Sequence, residues 1–264
     1  MVVFAGQGDA RRSMALLWRT EGPGDARPGP KPGLSVDVIV DAAIAVADTE
    51  GMAALSMRAV GERLGRTAMA LYTYVPSKSE LVDLMYDRTL AELPAGYDPR
   101  AGWRAGVTSW AENAWAFYLR HPWVLQVSQV RPVLGPNEYV MLETVVGVLR
   151  DETGLEAGPL RRIVGTLFYF VRGAAQTVAE SRQAAAATGV SDEQWWPVRA
   201  ALLGEVAPDF AERFPMVAWL ESGATSPPED ESAPYLEREA RKTFEAGLAV
   251  LLDGIEATVD RAGA

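Results

Sequence analysis

After Gly33 the apolar residues of this chain return every three to four positions, and nowhere do they alternate over the length of a strand. Val36, Ile39, Val40, Ala43, Val46 and Ala47 form the first such stripe, with Ser35 as its cap and Gly51 as its stop. Ser56 opens a second, short helix holding Ala59, Val60 and Leu64, which Gly65 ends. A third runs from about Thr67 to Tyr74, with Met69 and Leu71 as its core candidates. Ser77 caps a fourth, with Glu80 completing a capping box ahead of Leu81, Leu84, Met85 and Leu90. Pro94 to Pro99 breaks the pattern.

Beyond that break, Arg100 to Arg120 reads as a Trp- and Ala-rich helix closed by His121-Pro122. Short helices are expected over Trp123–Val130 and Asn137–Glu152, and a long central one over Leu160–Ala187. Ser191 caps a helix reaching Leu203, residues 223–234 read as a loop, and a last helix covers about Tyr235 to Arg261. The expected fold class is all-α: a three-helix, helix-turn-helix head over residues 34–93 and a larger helical domain over 94–264. Residues 1–33 carry Pro23, Pro28, Pro30 and Pro32 among glycines and read as a flexible extension. Its arginines, Arg11 and Arg12 among them, leave a DNA-touching arm as the other reading, and Met14 is an alternative start.

Composition narrows the chemistry. There is no cysteine, so disulfides, thiol nucleophiles and Cys-ligated metals are excluded, and a reducing cytoplasm is the expected compartment. His121 is the only histidine, which removes His-rich metal sites. No apolar run is long enough to span a membrane, and the N-terminus lacks a signal-peptide pattern. No metal, cofactor or catalytic residue is expected. The formal charge of −10 argues against nucleic acid at first sight. Residues 51–82, however, set Arg58, Arg63, Arg66 and Lys78 against Glu62 and Glu80, a net of +2, and phosphate contact depends on the local face.

That local face is the informative one. Two short helices separated by Gly65 can cross steeply, which lets the second enter a major groove. The second presents Thr67, Ala68, Ala70, Tyr72, Thr73 and Tyr74, a small, polar and aromatic surface suited to close approach. The order Ser56-Met57-Arg58, Gly65, then Leu71-Tyr72-Thr73-Tyr74-Val75 leading to Ser77-Lys78, resembles the DNA-binding domain of the TetR (tetracycline repressor) family over residues 35–93. The resemblance implies that Thr67, Ala68, Ala70, Thr73 and Tyr74 face bases or groove. It also implies that Tyr72 and Lys78 contact the backbone, and that Ser56 and Arg58 add contacts from the preceding helix. Two bland readings remain, Tyr72 as a core aromatic and Lys78 as a solvated charge. Arg66 stands where the family usually has a small apolar residue, and reaches either phosphate or water.

The resemblance extends more weakly to the larger domain. Phe244-Glu245-Ala246-Gly247-Leu248 with Gly254-Ile255-Glu256, and Arg131-Pro132, are similar to the tetracycline repressor branch. It implies a homodimer on an inverted-repeat, double-stranded DNA operator, and a small-molecule effector. The stripes Ile163, Leu167, Phe170, Ala174, Val178 and Phe244, Leu248, Leu251, Ile255 are the expected interface, or else intramolecular core. Trp110, Phe117, Tyr139, Phe168, Arg172, Gln176 and Trp195 are the candidate ligand contacts, an aromatic cluster with a few polar groups. Val127 falls where the branch keeps a metal-chelating histidine, so a metal-held tetracycline is not the expected ligand. The expected function is a repressor released by its effector. The alternatives are an activator or effector-independent regulator of the same fold, and a helical enzyme, for which no spacing of catalytic groups speaks.

Overall fold

The computed structural model describes residues 3–20, 33–223 and 234–263. The chain divides into two compact units, residues 1–173 with 250–264, and residues 174–249. In order, the elements are β1 (Val3–Phe4), α1 (Ala10–Trp18), α2 (Val36–Glu50), α3 (Met57–Leu64), α4 (Ala68–Tyr72), α5 (Lys78–Leu90), α6 (Trp103–Arg120), β2 (Val127–Ser128), α7 (Pro136–Thr153), α8 (Ala157–Thr188), α9 (Asp192–Val206), α10 (Phe210–Arg213), α11 (Pro215–Ser222) and α12 (Tyr235–Gly263). The all-α architecture is as the periodicity requires.

Local signals place the head. Ser35, Ser56 and Thr67 each cap their helix by accepting an amide proton three residues on, from Val38, Ala59 and Ala70. Such a cap contributes about 1 kcal/mol. Ile39, Ala43, Val46, Val60, Leu71 and Val75 then meet Leu81 and Met85 in one core. α5 is the shaft of the unit, packing on α2 on one side and on α7 and α1 on others.

Several expectations change. Residues 3–20 are not an unstructured leader: β1 pairs in parallel with β2, Val3 beside Val127, and α1 packs on α5. Asp9 caps α1 by accepting from the Arg12 amide at 2.9 Å. The Pro-rich stretch 21–32 and most of the 223–234 loop lie outside the described residues. Pro122–Gln126 makes a 3-10 turn that ends in β2, where a helix was expected. α10 and α11 follow α9 unannounced by the sequence pattern. Glu80 does not turn back to the Ser77 backbone as a capping box would. It bonds the Ser77 hydroxyl and takes the Asp9 amide proton at 3.0 Å.

In the second unit, the end of α8 is joined to the start of α12 by a two-pronged ion pair of Arg182 with Glu237, at 2.9 and 2.8 Å. A groove between these helices is lined by Ala174, Thr177, Ser181, Ala184, Leu236 and Ala240, among others. α9, α10 and α11 bury no residue.

Candidate functional site

α3 and α4 cross at a turn that the backbone dictates. Gly65 ends α3 at φ 63°, a left-handed conformation costly for any other residue. Gly61, one turn earlier, lies under the turn itself: a Cβ there would sit 2.7 Å from the Arg66 carbonyl oxygen. Glycine at 61 is therefore what lets the two helices approach. The sequence signal was present, since a glycine in a helix costs about 1 kcal/mol and asks for such a reason, but it was not read.

Each residue assigned to DNA is at the surface. Ser56, Arg58, Thr67, Tyr72, Thr73 and Lys78 are exposed, and Ala68, Ala70 and Tyr74 are half-buried. The core-aromatic reading of Tyr72 does not hold. Met69, taken as core, is 75% exposed and joins the same face, leaving Leu71 to anchor α4 alone. A five-residue helix has only one inward position on so short an arc. Arg58 pairs with Glu62 at 2.8 Å across one turn of α3. That fully exposed pair is weak enough to open to a phosphate.

The aromatic cluster is divided. Trp110, Phe117, Tyr139, Phe168 and Arg172 belong to the first unit, Gln176 and Trp195 to the second. Trp110 and Phe117 are buried, and Phe168 meets the Trp110 ring edge-on with centroids 4.9 Å apart. The indole nitrogen of Trp110 is buried without a hydrogen-bond partner, which normally costs more than a kilocalorie per mole. Arg172 gives its guanidinium protons to the carbonyls of Leu125 and Val127, at 2.5 and 2.9 Å, and so closes the end of the 3-10 turn. Tyr139 is half exposed and lies against Trp18. Gln176 bonds Glu180, and Trp195 is exposed against Trp196.

His121 ends α6 and is buried between Asp48, 2.8 Å from Nδ1, and Glu92, 3.2 Å from Nε2. Asp48 also accepts the Trp123 indole proton at 2.8 Å. No group of three or more acidic or histidine side chains among the described residues is placed to hold a metal. Burial works to raise the Glu92 pKa, but hydrogen bonds from Arg120 and His121 outweigh it and hold it below its usual range.

Reading the sequence missed a row of buried acids on α5: Glu80, Asp83 and Asp87, each under 5% exposed. Asp83 accepts the Gly6 amide at 2.9 Å and the Ser13 hydroxyl at 3.0 Å. Asp87 caps α7, accepting the backbone amides of Asn137 and Glu138 at 2.9 and 3.0 Å. Burial pushes the pKa values of Asp83 and Asp87 up, against those hydrogen bonds. Carboxylates at i, i+3 and i+7 inside an apolar helix were the available clue. On the same helix, Tyr86 takes a proton from Gln129 at 3.2 Å, and Gln129 also reaches Tyr118 at 3.4 Å. Arg172 lies over the Tyr118 ring.

Comparison with known proteins agrees with this geometry. Residues 39–85 match the family model described as bacterial regulatory proteins, tetR family. Residues 95–259 match the tetracyclin repressor-like C-terminal domain. The HTH-type transcriptional repressor DrrR1 of Streptomyces coeruleorubidus is 38% identical over 257 residues, 97% of this chain and 88% of that protein. Apo ActR of Streptomyces coelicolor is 26% identical, with a TM-score of 0.67 over 88% of this chain and 100% of that one. ActR solved with actinorhodin gives a TM-score of 0.64 at 25% identity, over 87% and 98% of the two chains. With the N-terminal model seated on the helix-turn-helix and the C-terminal model spanning more than half the chain, the protein belongs to the TetR family of bacterial transcriptional regulators.

Proposed function

We propose that this protein represses transcription by docking a homodimer on an inverted-repeat operator, and releases it when a small molecule enters the first unit. The observation that carries the reading is the exposed surface of α4 with Lys78 at the head of α5, on a turn that Gly61 and Gly65 hold in shape. Lys78 and Tyr72 contact phosphates, Thr73 and Tyr74 the groove. The relative named a repressor, similar over nearly the whole chain, supports the direction of regulation. An anisotropy titration of operator DNA over a salt series tests it. Specific binding with a steep salt dependence is expected, and equal affinity for random DNA would refute it.

For the effector, the unpartnered Trp110 N–H beside Phe168 supports an apolar pocket with one waiting donor. ActR was solved with actinorhodin and with (S)-DNPA, which supports a small-molecule effector here too. Such a ligand shifts operator binding only by its differential affinity for the free and bound forms. Quenching of tryptophan fluorescence by the same compound that lowers operator affinity is the expected result.

For the dimer, part of the stripe the sequence suggested is taken up inside the subunit. Phe244 is fully buried within its own chain, as are Leu167 and Val178. On α8, Gly165 has open space around it and Tyr169 is 75% exposed. On α12, Val250 is 70% exposed and Gly254 is open. We assign these outward faces to the partner subunit: large apolar groups beside bare backbone allow helices of two chains to pack closely.

A further inference from the structure

We propose that residues 3–19 are a clamp that holds the DNA-binding head against the body and sets how freely the two heads of a dimer move. The inference rests on the operator-binding dimer proposed above. The segment touches both parts of the first unit. On the body, β1 lies beside β2, and the Trp18 indole gives its proton to the Leu134 carbonyl at 2.9 Å. On the head, Asp9 and Gly6 give amide protons to Glu80 and Asp83 of α5, Ser13 adds its hydroxyl, and Arg19 pairs with Asp37 of α2. α5 is the element through which the head joins the body, since Asp87 on it caps α7.

The contact is close at both ends. A Cβ on Gly8 would lie 2.2 Å from a carboxyl oxygen of Glu80, so a side chain there displaces that carboxyl from the Asp9 amide it holds. At the far anchor, Leu134 is held at φ 61°, a strained conformation for a leucine, with its amide on Glu138 at 2.7 Å and its carbonyl on Trp18. Buried carboxylates gripped by backbone amides are costly to leave unpaired. The head therefore cannot tilt about α5 without either carrying the clamp away from β2 and Leu134 or stripping it from Glu80 and Asp83. An interaction made in one head position and lost in another biases the equilibrium between them.

The chain has no cysteine, so Met69→Cys on the exposed recognition helix takes a single spin label per subunit. Inter-label distances are measured by pulsed EPR in otherwise wild-type protein, in Gly8→Val and in a chain lacking residues 3–19. Operator affinity is measured on unlabelled protein. The expected result is a broadened distance distribution in both altered chains, with operator affinity changed by about five-fold or more. Should the shortened chain fail to fold, Gly8→Val and Ser13→Ala with Trp18→Phe carry the test. Unchanged distances with lowered thermal stability would overturn the clamp in favour of plain structural support. Arg11→Ala with Arg12→Ala serves as control: a flatter salt dependence there, with Gly8→Val neutral, would overturn it in favour of a phosphate-touching arm. Wild-type protein that yields no inter-label distance would refute the dimer itself, and the clamp's role with it.

Discussion

α4 with its flanking residues and the helices α9 to α11 both leave most of their side chains uncovered, yet they leave out different chemistry. Around α4 the exposed groups are hydroxyls, small side chains and Lys78, with Met69 the one large apolar exception. Along α9 to α11 they include, beside charged side chains, Trp196, Val198, Val206, Trp219 and Leu220, and no residue of these helices is buried. Water or a phosphate backbone satisfies the first surface. The second offers water large apolar side chains, on helices short enough to gain little stability from their own hydrogen bonds. The two surfaces differ in what they expose rather than in how much.

The sharpest way to break the comparison lies on the apolar side. Tyr169→Glu with Val250→Glu puts carboxylates on faces assigned to the partner, where burying each unpaired costs on the order of several kcal/mol. Both residues are largely exposed in the subunit, so the subunit should fold with unchanged helical circular dichroism. Light scattering should report monomer, and operator binding should fall to the level of random DNA. A normal dimer would place the interface elsewhere.

On the head, Gly61→Ala pushes a methyl to 2.7 Å from the Arg66 carbonyl. Because the obstacle is backbone, the helices must shift, at a cost of about 1–3 kcal/mol. Urea denaturation should show that loss, and operator affinity should fall further than stability does, since the α3–α4 angle itself changes. If affinity is kept, the steep crossing is not what presents α4.

Lys78→Ala is milder. It removes one phosphate contact, so binding to all sequences should weaken alike and the salt slope should drop by about one. Thr73→Ala should instead alter preference at one or two base pairs. Identical behaviour of the two variants would erase the distinction between backbone and groove contacts on this face.

The head was legible because its signals are local. Ser35, Ser56 and Gly65 sit within a few residues of the groups they cap or release, and each does in the structure what its position implied. The N-terminal segment was not legible for the opposite reason. α1 has a local cap in Asp9, but its stability comes from Asp83 and Glu80, seventy or more positions away. The prolines between 21 and 33 then coloured the whole stretch. The aromatic cluster was half legible: Trp110 and Phe168 do meet, whereas Arg172 is taken up by the carbonyls after Pro122, a partnership no periodicity announces.

The smallest effect separates carboxylates held by partners from carboxylates held by burial. Glu92 has its pKa lowered in the folded chain, because Arg120 and His121 outweigh its partial burial. A lowered folded pKa means stability that is present above the unfolded value of about 4.3 and is lost as pH falls through the folded value. Asp83 has its pKa raised, because burial outweighs the protons given by Gly6 and Ser13. The folded chain then takes up that proton before the unfolded chain does, so stability is gained as pH falls from neutrality towards the unfolded value of about 3.9. Glu92→Gln and Asp83→Asn remove one titration each. Between pH 7 and about pH 4, the stability of wild type relative to Glu92→Gln should shrink, while its stability relative to Asp83→Asn should grow. Thermal melts of the three proteins across that range read both differences. If the two move in the same direction, the opposition between pairing at Glu92 and burial at Asp83 is wrong, and the grip of α5 on the N-terminal segment has to be explained without a desolvated charge.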